Sequence, residues 1–265
     1  MNIVLGFDMN SPRKVRTLSW DGILNGILIN GMSGSGKSQT AAYLLSQFAY
    51  LGTKLIICDY DASGNEQTLS SRLSHARHSF LFPPATEQTQ VLDYIDTLTR
   101  IGEQRKDNPR NHYPIMFVLD EAATFFRNTP PPKRTQTIKH VDGTTEVKKF
   151  PTYIDYMLSQ IYTLRKLNIR FMFIAQDWAK VSSVNTRALR EGISTKLLLR
   201  TDATAAKMFG YETTAEKRLL KSLKRGEVFY DGSIYKVPTI DDKLIRALEL
   251  KNTDANLLET MLLNQ

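Results

Sequence analysis

The chain has 265 residues, 42% hydrophobic and 23% charged, with a net charge of +8 and a pI near 9.4. That length buries a substantial core, and the composition is ordinary for a globular domain. Its one cysteine, Cys58, excludes an internal disulfide and a cysteine metal cluster. No apolar run approaches the roughly 18 residues of a membrane span and no signal peptide opens the chain, so a reducing cytoplasm is the expected setting.

In chain order, VLGFD…KVRTLSW (4–20) reads as a β-hairpin and GILIN (26–30) as a short buried strand. A helix follows from Lys37, with Ala41, Leu44, Leu45 and Phe48 at helical spacing and Gly52 as its stop. KLIICD (54–59), PIMFVLDE (114–121), RFMFIAQ (170–176) and TKLLLRT (195–201) read as further buried strands. Helical periodicity marks Val91–Ile101 and Tyr153–Leu167 between them. GEVFYDGSIYKVP (226–238) reads as a hairpin turned at Asp231-Gly232, and Asn256–Leu263 as a last helix capped at Thr253 or Asp254. Strands alternating with helices predict an α/β fold, a mostly parallel sheet flanked by helices with peripheral β-hairpins.

One stretch interrupts the alternation. Residues 128–150 start with a proline run and continue as two β-prone arms around Asp142-Gly143, a favoured hairpin turn. Lys133, Arg134, Lys139, Lys148 and Lys149 make this hairpin basic. The charge excess concentrates elsewhere: residues 165–225 hold 14 Lys/Arg against 5 Asp/Glu. Such a stretch suits a polyanionic partner or a solvated basic face.

The sharpest local signal is Gly31-Met-Ser-Gly34-Ser-Gly36-Lys37-Ser38, between a strand and a helix. Glycines let successive N–H groups turn inward, and the helix N-terminus adds positive potential, so the loop cradles phosphate. Gly31, Ser33, Gly34, Ser35, Gly36, Lys37, Ser38 and Gln39 are the expected nucleotide-binding residues. Lys37 would reach the β- and γ-phosphates, and the Ser38 hydroxyl would ligate Mg²⁺. Asp120-Glu121, closing an apolar strand, supplies a metal-holding carboxylate and then a general base for water. Asp61-Ala-Ser-Gly64 imitates a GTPase metal motif, but no Asn-Lys-x-Asp guanine reader follows. Gln176 closes the next strand, where a polar tip faces the crevice of an open parallel sheet.

These blocks resemble the FtsK/HerA superfamily of ring-forming DNA-pumping ATPases, over about residues 3 to 240. The resemblance runs through NGILINGMSGSGKS, FVLDEAATFF, IYTLRKLNIRFMFIAQD, TRALREGISTKLLLRTDATAAKMFG and LKRGEVFYDG. It implies a RecA-like (additional-strand) P-loop NTPase domain over residues 1–250, followed by a C-terminal helix over 251–265. Carried over residue by residue, Asp120 and Glu121 fall on Walker B and Gln176 on the polar sensor. Arg165 matches the arginine before the sensor strand, and Arg200 the one closing the next strand; either is a candidate for completing a neighbouring subunit's site. Asn168 stands where the family commonly has glycine, Ala175-Gln176-Asp177 replaces Thr-Gln-Arg-Pro, and Asp59-Tyr60-Asp61 lacks the family's nearby lysine. Family membrane segments, winged-helix reader and N-terminal barrel have no counterpart in these residues, so a recruiting or loading protein is expected.

The implied function is an ATP- and Mg²⁺-dependent oligomeric motor, hexameric by resemblance, acting on double-stranded DNA. Lys139, Lys148 and Lys149 are the candidate phosphate contacts; a solvated loop or a subunit contact is the competing account of that hairpin. Two other readings stay open: a secretion-type motor with protein cargo, and a slowly hydrolysing, nucleotide-gated recruitment module. His75, His78, His112 and His140 lack metal-ligand spacing, and Trp178 and Phe171 read as core packing.

Overall fold

The computed structural model describes residues 1–60, 68–107, 112–130, 135–139, 142–150, 153–176, 178 and 191–249. Asp61–Gly64, Lys133, Arg134, His140, Asp177 and the expected C-terminal helix lie outside the described residues.

Nine strands form one sheet in the order β2-β1-β11-β10-β9-β3-β8-β5-β4. Five are parallel: β3 (Ile27–Asn30), β4 (Lys54–Asp59), β5 (Ile115–Asp120), β8 (Ile169–Ala175) and β9 (Thr195–Leu198). Their sequences are nearly unbroken apolar runs because both faces are covered; every residue of β3 and β8 is buried. The terminal hairpins join this sheet as its antiparallel flank. β1 (Asn2–Asp8) pairs with β2 (Ser11–Ser19) and with β11 (Ser233–Lys236), and β10 (Glu227–Tyr230) pairs with both β11 and β9. Pro12, Arg13 and Lys14, exposed on the outermost strand β2, discourage edge pairing with another chain.

One face carries α1 (Lys37–Tyr50), α2 (Leu69–Arg72) and α8 (Asp242–Glu249). α1 buries Ala41, Leu44, Leu45 and Phe48 as the periodicity predicts, and Gly52 adopts φ +92 just past its end. The other face carries α3 (Gln88–Asp107), α4 (Ala122–Asn128) and α5 (Tyr153–Leu164) over an aromatic core of Phe117, Phe171, Phe173, Phe126 and Trp178. α6 (Ala203–Met208) and α7 (Thr214–Ser222) pack beside β9 and β10. Asp202 caps α6, and Thr213 with Glu216 forms a capping box on α7.

Three bounds differ by more than two residues from the sequence reading. α3 runs past Val91–Ile101 in both directions, because its polar ends carry little periodic signal. The helix expected to Leu167 stops at Leu164 and tightens into a 3₁₀ turn over Arg165–Leu167. Asn168 ends that turn at φ +62, the left-handed conformation that accounts for a glycine-like position; its amide donates to the His112 carbonyl (2.8 Å) and its Oδ1 accepts from Trp20 Nε1 (2.6 Å). β9 ends at Leu198, although its exit continues alongside β3, as described below.

The basic hairpin is a separate two-stranded sheet, β6 (Thr135–Lys139) with β7 (Thr145–Lys149). Asp142 Oδ1 accepts from the Thr144 N–H and hydroxyl, and Gly143 supplies φ +84 at the turn. Among the described residues no helix is long and apolar enough to cross a membrane.

Candidate nucleotide site

The phosphate loop leaves β3 at Asn30, in the middle of the parallel strands, and enters α1 at Lys37. The sheet order reverses around β3, since β4, β5 and β8 lie on one side and β9 on the other, so a crevice opens at their carboxyl ends. Gly31 is required by close approach: a Cβ there would lie 2.6 Å from Ser35 Oγ and 2.8 Å from Leu199 Cβ. Gly36, the N-cap of α1, has φ +103, and a Cβ would meet Gly226 N at 3.1 Å. Ser33 and Gly34 are exposed at the loop's crest, and Ser38 and Gln39 are half-buried on the first turn of α1. Ser35 is buried, its hydroxyl without a protein partner.

Lys37 is only 8% exposed, and its ammonium donates to the Met32 carbonyl at 3.3 Å. Burial lowers its pKa, with Glu121 and Asp120 pulling the other way. Asp120 ends β5 in register with Asp59 at the end of β4. Burial raises the Asp120 carboxyl to about 7, the Glu121 and Asp59 charges add to the rise, and the Glu121 N–H and Lys37 oppose it. Asp59 is also buried and accepts from the Ser70 N–H at 2.8 Å.

Two neighbouring carboxylates, Asp59 buried and Asp120 partly exposed at its strand end with its carboxyl pushed to neutral pH, form a donor set that a divalent cation would compensate. Asp120 and the Ser38 hydroxyl are the residues that would hold Mg²⁺, which would supply charge neutralisation on a bound phosphate.

Glu121 has φ +49, a left-handed conformation unusual for a glutamate, at the N-cap of α4. That turn presents its side chain to β8, where Gln176 Nε2 donates to Glu121 Oε1 at 3.0 Å. The loop, Asp120, Glu121 and Gln176 therefore converge on the carboxyl ends of three neighbouring strands, β3, β8 and β5.

The two candidate arginines are not brought together. Arg200 follows β9 beside the loop, and its carbonyl accepts from the Met32 N–H at 2.8 Å. Arg165 lies before β8, at the other end of the sheet. There its guanidinium donates to Asn25 Oδ1 (2.9 Å) and lies over the Tyr162 ring, while its carbonyl accepts from Arg170 (2.6 Å). The hairpin lysines fall at set register positions, Lys149 against Thr135, Lys148 against Gln136 and Lys139 against Thr145, and Lys149 is exposed.

The sequence reading missed the turn before β10. Gly226 N–H donates to the Ser35 carbonyl at 3.1 Å, closing that turn on the loop. Beside it is a cavity of about 190 Å³ lined by Gln39, Thr40, Arg225, Lys236 and Thr239. Thr40 is fully buried and its hydroxyl has no protein partner. The glycine in LKRGEVFYDG was the available signal, a backbone position suited to close approach.

Fold and loop together define the architecture of a RecA-like P-loop ATPase domain. No family model and no curated protein sequence matches the chain. Solved structures do. The chain is similar to ATPases 2 and 3 of EccC from Thermomonospora curvata, in complex with a signal sequence peptide, at 12% identity and TM-score 0.60 over 94% of this chain and 46% of that one. It is similar to ATPases 2 and 3 of EssC from Geobacillus thermodenitrificans at 16% identity and TM-score 0.63, over 94% and 48%. It is also similar to the pCW3 conjugation coupling protein TcpA, monomer form with ATPγS, at 18% identity and TM-score 0.53, over 94% and 70%. The chain thus spans about half the length of the EccC and EssC chains. At these identities the likeness is one of fold.

Proposed function

We propose that the protein is an ATP-hydrolysing motor of the FtsK/HerA type, working as a homo-oligomeric ring on double-stranded DNA with a recruiting protein. The observation that supports this reading is the Gln176–Glu121 hydrogen bond beside a loop whose Lys37 is buried and lies within the field of Glu121 and Asp120. Glu121 takes the proton of the attacking water, and Gln176 holds Glu121 and the water in line. Lys37 and the loop N–H groups bind the β- and γ-phosphates, while the nucleoside rests in the cavity beside Thr40 and Arg225. Mg²⁺ at Ser38 and Asp120 would spread the developing charge.

Hydrolysis becomes work when loss of the γ-phosphate moves a polymer contact. Lys139, Lys148 and Lys149 on the hairpin are suited to phosphate contacts that track a backbone without reading bases. Arg165, whose carbonyl accepts from Arg170 at the end of the sheet opposite its own loop, is the candidate to complete a neighbour's site. The TcpA likeness, a conjugation coupling protein with ATPγS, supports nucleotide use. A second reading, protein cargo, is favoured by the EccC domains in complex with a signal sequence peptide.

One measurement separates these: turnover with duplex DNA, single-stranded DNA, RNA, a peptide of signal-sequence type and no polymer, with oligomer mass recorded alongside. Acceleration by duplex DNA supports the first reading, and acceleration by peptide alone replaces it with the second. Slow turnover that no polymer accelerates points to a nucleotide-gated recruitment module, and absence of turnover sinks the enzyme reading altogether.

A further inference from the structure

We propose that Arg200 binds the phosphates of the nucleotide held by its own subunit, on the side of the loop away from Gln176. The inference rests on the nucleotide reading above and assigns one of its two arginines to a place.

The exit of β9 is joined to the phosphate loop residue by residue. Leu199 N–H donates to the Asn30 carbonyl at 2.8 Å, Met32 N–H to the Arg200 carbonyl at 2.8 Å, and Asn30 Nδ2 to Thr201 Oγ1 at 3.2 Å. Gly31 has no side chain because Leu199 and the Arg200 carbonyl occupy the space a Cβ would need. The parallel pairing of β3 with β9 therefore continues past both strands, and Arg200 lies about one strand spacing, roughly 4.8 Å, from Met32. An arginine side chain is longer than that gap. Arg200 is half-exposed, and among the described residues its guanidinium has no carboxylate or carbonyl partner.

Position along the triphosphate follows from the strand order. Gln176, Glu121 and Asp120 mark the γ-phosphate and water on the β8–β5 side, whereas β9 lies on the other side of β3. The proposal therefore assigns Arg200 to the α- and β-phosphates, which ADP retains. Arg165 has no such access. The seven-residue strand β8 separates it from Gln176, a span of about 23 Å at 3.3 Å per residue.

The test is Mg·ADP binding to the full chain by calorimetry, followed by mixed assemblies. Arg200→Ala should weaken ADP binding about 10- to 100-fold, the worth of a charge-assisted contact. Arg200→Lys should recover part of that loss. Should the alanine variant melt early, Arg200→Met keeps the stem without the charge and should show the same weakening. Wild-type affinity in Arg200→Ala or Arg200→Met overturns the proposal. So does recovery of ADP sites on mixing Arg200→Ala subunits with Lys37→Ala subunits, because rescue by a neighbour's arginine means action between subunits. A wild-type chain that binds neither ADP nor ATP refutes the nucleotide reading itself, a separate outcome.

Discussion

Gln176 at the end of β8 donates a 3.0 Å hydrogen bond to Glu121 at the end of β5, joining residues 55 apart in sequence. The bond ties the group proposed to activate water to a strand that borders the phosphate loop. Gln176→Ala should retain ATP binding and lower turnover by roughly 10²-fold, at the lower bound for losing acid–base assistance. Single-turnover kinetics beside equilibrium binding check this; normal turnover would leave Glu121 oriented by something else.

Glu121 carries a backbone cost beside its proposed chemical role. Its φ of +49 is a conformation glycine adopts freely. Glu121→Gly should therefore raise stability by about 1 kcal/mol, the low end of left-handed strain, while abolishing hydrolysis. Glu121→Gln should bind ATP, stop turnover and leave stability near wild type. Denaturant melts with a phosphate-release assay distinguish the pair.

The pH dependence follows from Asp120. Its carboxyl is raised from 3.8 to about 7, first by burial and then by the Glu121 and Asp59 charges. A raised carboxylate pKa favours the folded state when protonated, so this stability is fully present below pH 3.8 and is lost as pH rises through about 7. Metal-free protein should melt at lower temperature at pH 8 than at pH 5.5. Asp120→Asn should flatten that slope, and Mg²⁺ affinity should strengthen across the same interval. Melts of the wild type and of Asp120→Asn in metal chelator decide it; an identical slope in Asp120→Asn means another group is responsible.

The hairpin lysines are tested by salt. Replacing Lys139, Lys148 and Lys149 with alanine should reduce the DNA-stimulated increment of turnover and lower the salt slope of DNA binding by about one unit per lysine. An unaltered slope removes these residues from the DNA interface.

Gly31→Ala probes the loop's support. The added methyl would collide with Leu199 Cβ at 2.8 Å, within a buried site where overpacking costs about 1–3 kcal/mol. The expected result is a lower melting temperature together with lost nucleotide binding. A variant with wild-type stability would mean that β9 moves easily relative to the loop.

Some of this was legible in order of residues and some was not. Thr213-Thr-Ala-Glu216 is a capping box that announces α7 in sequence, yet short apolar content hid that helix from periodicity. Asn168 stood out as a substitute for glycine, and its left-handed backbone is the reason that position tolerates asparagine.

What the sequence determined alone is local: the loop Gly31–Ser38, the strand it leaves, and the polar tips Asp120, Glu121 and Gln176. Glycine freedom, helix entry and apolar runs act over a few residues, so they can be recognised without a partner. Only the tertiary structure decided that the terminal hairpins complete the central sheet, that Gly226 closes on Ser35, and that Arg165 and Arg200 lie at opposite ends of the strands. Those outcomes depend on strand pairing, parallel at the centre and antiparallel at the flank, mostly between segments more than a hundred residues apart. No local propensity encodes which strand becomes whose neighbour.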